Sequence, residues 1–212
     1  MTETGLIYML IALTVARLIV HVRPSTLGRL QKMTRVRLLD GVDSVVWAGL
    51  VALMLIHFVV RSFYIPSGSM LPTLQINDFI LVNKLIYDFS HPVRGDIVVF
   101  RPPGVAGALD QTDLIKRVVG LPYDKIEVRD GVLYLNDLPQ QESYLPEPIF
   151  KNHPPTIVRK GHLFVMGDNR NNSQDSRFVP PGQVPYENLV GRAEILFYPL
   201  SRARFFNFSP SW

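Results

Sequence analysis

In the segment IPSGSMLPTL, residues 65 to 74, two serines stand one residue apart between prolines and next to a glycine, directly after an apolar run. A serine hydroxyl is a weak nucleophile until a base lies within hydrogen-bond reach. None of the five histidines is well placed for that role. His21 and His57 sit in or beside apolar stretches, His91 and His153 each precede a proline, and His162 opens a strand-like run. No acid stands near any of them at a suggestive spacing. Lysine is the other possible base, because burial disfavours its charged form and lowers its pKa. Lys116 in LIKRVV is flanked by Leu114, Ile115, Val118 and Val119. Strand alternation puts Lys116 on one face with Leu114 and Val118, and leaves Ile115, Arg117 and Val119 on the other. An inward Lys116 with an outward Arg117 is physically reasonable, although a strand lysine taken alone more often faces solvent.

The segments that must position these groups are short runs broken by Gly and Pro: 79–82, 96–100, 114–119, 125–128, 132–135, 163–166 and 193–198. Asp130-Gly131 joins two of them as a two-residue hairpin turn would. No helical periodicity of any length follows residue 61, so a mostly β, antiparallel domain is expected over residues 62–212. The stretches from Gly104 to Gly107 and from Pro139 to Pro155 read as loop.

Two apolar stretches precede that domain. GLIYMLIALTVARLIV, residues 5–20, carries one charge, Arg17, near its end, and VVWAGLVALMLIHFVV, residues 45–60, carries no formal charge with His57 neutral. Sixteen residues of helix span roughly 24 Å, so flanking residues would complete a crossing of an apolar layer about 30 Å thick. Spans over about 5–22 and 44–61 are expected, forming a membrane anchor over residues 1–61. Two buried core helices are the competing reading, but no comparable apolar partner surface follows. A cleaved signal peptide fits the first stretch poorly, since MTET lacks a basic residue and no small-residue cleavage site follows. Between the stretches, residues 23–43 carry Arg23, Arg29, Lys32, Arg35 and Arg37 against Asp40 and Asp43. Basic loops favour the cytoplasmic side, which puts residues 62–212 on the opposite face. The rest of the chain is nearly neutral, with 17 basic and 16 acidic residues, so it offers no distributed phosphate-binding surface and no nucleic-acid partner is expected. There are no cysteines, which excludes disulfides, thiol nucleophiles and Cys-ligated zinc.

In order, IPSGSMLPTL, RGDIVVF, LIKRVVGLP and GDNRNNSQDSR resemble the type I signal peptidases, membrane-bound Ser-Lys endopeptidases that remove signal peptides from exported proteins. The resemblance covers about residues 61 to 200 and implies a signal-peptidase β fold behind two transmembrane helices in a bacterial inner membrane. It implies that Ser69 is the nucleophile and Lys116 its general base, with the Ser67 hydroxyl joining the Ser69 backbone N–H at the oxyanion. It sets the hydroxyl of Ser173 against the lysine amine, makes Asp175 and Arg177 a supporting pair, and has Asp168 and Asn169 shape the loop. It also implies that Phe63, Ile65, Met70, Leu74, Leu114 and Ile115 line shallow pockets for small side chains, although as plain sequence Leu74 reads better as core.

No cofactor is implied. A calcium loop at 168–175 fails on pattern, because Arg170 stands where an oxygen ligand is needed and the sixth position is not glycine. Preprotein signal peptides and membrane lipids are the expected partners, and the protein is expected to act as a monomer. A non-catalytic membrane-anchored binding protein on the same scaffold is the alternative; a self-cleaving repressor would need a DNA-binding helical module. Two positions depart from the family pattern: Tyr123 stands where glycine is common after GLP, and Asn171 where aspartate is frequent.

Overall fold

The structure is a computed structural model, and it describes residues 11–12, 14–15, 29–54, 59–103 and 113–206. The chain divides into two compact units, Met1–Val59 and Val60–Trp212.

In the first unit, helix α1 spans Arg29–Met54. It begins inside the stretch read as a basic loop, because no proline lies between Arg29 and Asp43 and Gly41 is the least favourable helix residue there. From residue 44 onward it is apolar, and Trp47, Val51 and Met54 are exposed. The charged first half leaves too short an apolar run before Met54, so no helix among the described residues is long and apolar enough to cross a membrane. Most of the stretch at 5–22, residues 55–58 and the loop at 104–107 lie outside the described residues.

The second unit is mostly antiparallel β. Its strands are β1 (Val60–Tyr64), β2 (Phe79–Asn83), β3 (Ile97–Phe100), β4 (Leu114–Gly120), β5 (Lys125–Arg129), β6 (Val132–Leu135), β7 (Leu138–Pro139), β8 (His153–Ile157), β9 (His162–Met166), β10 (Val184–Pro185), β11 (Leu189–Tyr198) and β12 (Arg204–Phe205). The larger sheet runs β1-β2-β11-β3-β4-β9-β10 with β12 also on β11, and the smaller runs β7-β6-β5-β8. Val60 and Arg61, assigned from sequence to the second span, belong to β1, where Arg61 pairs with Val82. The expected loop from Pro139 to Pro155 ends early, because β8 begins at His153. Its two prolines are tolerated since β8 is an edge strand of its sheet.

The apolar pattern of β3 and β4 explains the layering. All four residues of β3 are buried. Ile97 and Val99 join a cluster with Ile65, Met70, Leu74 and Ile80, whereas Val98 and Phe100 join Val118, Leu163 and Val165 on the other face. A strand covered on both sides has no solvent face, and its neighbour β4 is likewise buried from Val118 to Gly120 and at Lys116, with Leu114, Ile115 and Arg117 partly exposed. Val98 pairs with Lys116 and Ile97 with Arg117, so both cationic residues lie within the larger sheet.

The hairpin from β5 to β6 turns at Asp130 and Gly131, with φ of 51° and 81°, the left-handed pair that a two-residue turn of this hand requires. Tyr123 also adopts a positive φ, 72°, where glycine would be unstrained. Its side chain is exposed and its N–H donates to Val158 O at 2.8 Å. Tyr123→Gly relieves the left-handed strain and keeps that backbone bond. We expect the variant to gain about 0.5–1 kcal/mol, after the added chain entropy of glycine is deducted, read as a higher urea midpoint at unchanged slope.

Candidate active site

The segment after β1 is fastened before it turns. Ile65 N–H donates to Asp78 O at 2.9 Å and Asn77 N–H to Ile65 O at 3.0 Å, which ties its start to the approach to β2. Beyond the serines, Leu71 N–H reaches Gly68 O and Leu74 N–H reaches Met70 O, closing a tight turn. Met70 and Leu74 are fully buried and hold that turn against the core. Asn169 holds its other side: its backbone N–H donates to Ser69 O at 3.1 Å and its carboxamide to Gly68 O at 3.0 Å.

Lys116 arrives from β4. Its side chain is 3% exposed, and Nζ donates to Ser69 Oγ at 2.7 Å and to Ile115 O at 2.9 Å. Burial pulls its pKa from 10.5 down to about 8, against the opposing pull of the Asp175 and Asp168 carboxylates. Both carboxylates are occupied by arginines. Arg117 donates to Asp168 through Nε at 2.8 Å and Nη2 at 2.6 Å, and Thr73 Oγ1 donates to the same carboxylate. Arg177 grips Asp175 through Nε and Nη2, both at 2.8 Å, while Gly167 N–H donates to that aspartate as well. Each aspartate is fully buried, and its arginine supplies the pairing charge.

Arg117 therefore does not face solvent, as alternation on a one-sided sheet would have it. Its guanidinium lies between Asp168 and the ring of Tyr144, with Cζ 4.3 Å from the ring centroid. The expectation assumed a wet face, which β4 does not have at Arg117, where the side chain is 13% exposed. Behind it, Arg170 and Glu142 form a second buried bidentate pair at 2.6 Å, and Arg170 Nε donates to Gly167 O. Glu142, Tyr144, Thr73 and the buried Arg117 escape a sequence reading: Glu142 is 28 residues from its partner, and no local pattern marks such a pairing.

The hydroxyls are arranged unevenly. Ser67 Oγ lies 3.5 Å from Ser69 Oγ. The hydroxyl of Ser173 is buried and has no hydrogen-bond partner among the described residues, so the expected bond to the lysine amine is not made. The lysine instead donates to Ser69 and to its neighbour's carbonyl. Gly167 fills the gap between Ser173 and Ser69: a Cβ there would collide with the Ser173 hydroxyl and the Ser69 carbonyl oxygen.

Ser69 and Lys116 open onto a cavity of about 360 Å³. Of the six residues expected to line pockets, only Leu114 borders it. Ile65, Met70 and Leu74 are core, and Phe63 and Ile115 pack partly buried against the same cluster. Asn171 has a local explanation. Its carboxamide oxygen accepts from Phe150 N–H, and its NH2 donates to Glu147 Oε1 and Pro148 O, all within 2.9 Å. Aspartate could make the first bond, would lose the other two, and would face Glu147 with like charge.

A mostly antiparallel β unit that presents a serine hydroxyl to a buried lysine amine defines a class of serine peptidase that dispenses with histidine. The profile of the signal peptidase family, peptidase S26, matches residues 38–198, and the chain belongs to that family. It is 41% identical to signal peptidase I of Leptolyngbya laminosa, over 78% of this chain and 82% of that protein. It is 46% identical to probable signal peptidase I-1 of Synechocystis, over 71% of this chain and 78% of the other. A solved signal peptidase I from Enterococcus faecalis is 31% identical, covering 49% of this chain and 97% of that one with a TM-score of 0.41.

Because Asp168 has no exposure, Arg117→Ala leaves a buried carboxylate without its cation. We expect a loss of about 3–5 kcal/mol in chemical denaturation, and a smaller loss when Arg117→Met is combined with Asp168→Asn, which removes both charges together.

Proposed function

We propose that the protein is a membrane-bound serine endopeptidase that cleaves N-terminal signal peptides from exported preproteins after Ala-X-Ala-type sites. The observation that carries this reading is the 2.7 Å contact between a buried lysine amine and Ser69 Oγ. In the neutral form Lys116 takes the proton of Ser69 as Oγ attacks the scissile carbonyl. The carbonyl oxygen becomes an oxyanion, stabilised by the Ser67 hydroxyl and the Ser69 N–H, each donor worth a few kcal/mol in a dry site. The lysine returns the proton to the leaving amine, and water then releases the acyl chain from Ser69. Asp168, Asp175 and Arg177 hold the lysine's surroundings, and Ser173 is the adjoining hydroxyl available to orient the amine once substrate closes the site. Small pockets on the Ile115 side of β4 admit alanine and exclude bulk.

Membrane attachment belongs to the same proposal. The apolar runs at 5–22 and 44–59 anchor the chain, the basic segment 23–43 stays cytoplasmic, and residues 60–212 work on the extracytoplasmic side of a bacterial inner membrane. The exposed apolar side chains of α1 favour lipid over water. Ser69 follows the second run by ten residues, which sets the chemistry at the membrane surface. An aromatic group on β1, β2 and β11 suits that setting. Tyr64 and Tyr198 are about half exposed and lie 5.4 and 5.8 Å from the Phe79 ring, with Leu200 and Phe205 largely exposed in the same C-terminal part of the unit.

The test uses full-length protein in detergent with a preprotein substrate, followed by sequencing of the new N-terminus. Wild type should cut after Ala-X-Ala; Ser69→Ala and Lys116→Ala should each lose about 10³-fold or more in kcat/KM. Lys116→Arg should stay inactive, because guanidinium keeps its proton throughout the accessible pH range. Substantial activity in Lys116→Arg would remove lysine as the base, and an uncut preprotein would favour a binding protein on the same scaffold.

A further inference from the structure

The cavity beside the Ser-Lys pair is built on the face of β4 that the expected pockets do not use. Leu114 and Lys116 share that face and border the cavity, whereas Ile115, between them, packs with Ile65 and Met70 on the opposite side. Pro102, Pro180 and Pro181 form the rest of its apolar wall, and Gln174 stands at its edge. Gln174 is exposed, with Nε2 donating to Pro180 O at 3.0 Å, so its carboxamide is fixed to the proline pair.

We infer that this cavity receives the side chain of the residue immediately after the scissile bond. The inference rests on the peptidase reading given above and adds a specificity site to it. An extended chain alternates its side chains, so the residues on either side of the bond point to opposite sides. With the residue before the bond seated on the Ile115 side, the residue after it turns to the Leu114 and Lys116 side. The proton path leads to the same place. Lys116 must hand its proton to the leaving nitrogen, which therefore passes over Nζ, and the cavity opens there.

The chemistry of the lining sets the preference. Three prolines and a leucine accept an apolar side chain of moderate size, and about 360 Å³ leaves room beyond alanine. Among the described residues, no anionic or cationic side chain other than Lys116 lines the cavity, so a charged group after the bond gains no partner from them and loses water. Gln174 is the lining position whose charge can be changed at the rim without filling the cavity.

The experiment uses full-length protein in detergent and peptides with alanine both immediately before the bond and two residues further back. The first residue after the bond is Lys in one peptide and Glu in the other. We expect the Lys-to-Glu ratio of kcat/KM to rise about tenfold in Gln174→Glu and to fall about tenfold in Gln174→Lys, by direct charge pairing across the rim. The same Lys and Glu pair placed two residues before the bond should move by less than about twofold, because intervening water screens it. A ratio after the bond that ignores both variants overturns the assignment. So does a larger response two residues before the bond, the other position that alternation directs to this face. Failure of wild type to cut any of the peptides would withdraw the peptidase reading and the subsite with it.

Discussion

Removing one ammonium group from water is the constraint on which the rest of this domain depends. Lys116 sits buried within β4, and that burial draws its pKa down to about 8. A solvated lysine would hold its proton at neutral pH and could not accept one from a serine. Most of the larger sheet can be read as the means of keeping this side chain dry. β3 and β9 flank β4, the Leu163 and Val165 cluster covers one face, and the turn after β1 brings Ser69 Oγ within 2.7 Å of the amine.

Two buried carboxylates work against that arrangement. Asp175 and Asp168 both favour the charged lysine and so oppose the effect of burial. Arg117 and Arg177 occupy them through bidentate contacts, which turns two unbalanced anions into closed pairs. The same contacts shape the loop from Gly167 to Arg177, whose Asn169 fixes the carbonyls of Gly68 and Ser69. Charge compensation and placement of the serine are thus performed by one set of residues. Gly167 lets the loop approach the serine turn closely enough to do both.

How far the sequence reveals this differs with the kind of interaction. Seven of the strands follow from local apolar patterning and from the Asp130-Gly131 turn, and the face shared by Leu114, Lys116 and Val118 follows from alternation. β8 was hidden by its prolines, and β1 by the apolar run that leads into it. The Ser69 to Lys116 contact was legible only through the order of four motifs, because 47 residues separate the two. Arg117 was misplaced for a definite reason: alternation gives the face of a residue, and only the tertiary packing tells whether that face is wet. The expected pocket residues divide in a complementary way: Leu114 borders the cavity, and the others lie in or against the cluster that includes Ile65 and Met70. Ile65, Met70 and Leu74 are apolar and near the serine in sequence, yet they support the turn from beneath instead of bordering the cavity. Asn171 and Tyr123, odd against the family pattern, become intelligible through their own contacts and dihedral angles.

The most direct test of the desolvated-lysine account is to titrate Lys116 itself in the full-length protein in detergent. Its side-chain NMR signal, labelled at the carbon next to Nζ, would be assigned by its loss in Lys116→Arg. The account predicts a titration midpoint of about 8 in the absence of substrate. A midpoint at the ordinary lysine value of 10.5 would contradict it, because the amine would then be as well solvated as any surface lysine and the domain's packing would not serve to free it of its proton.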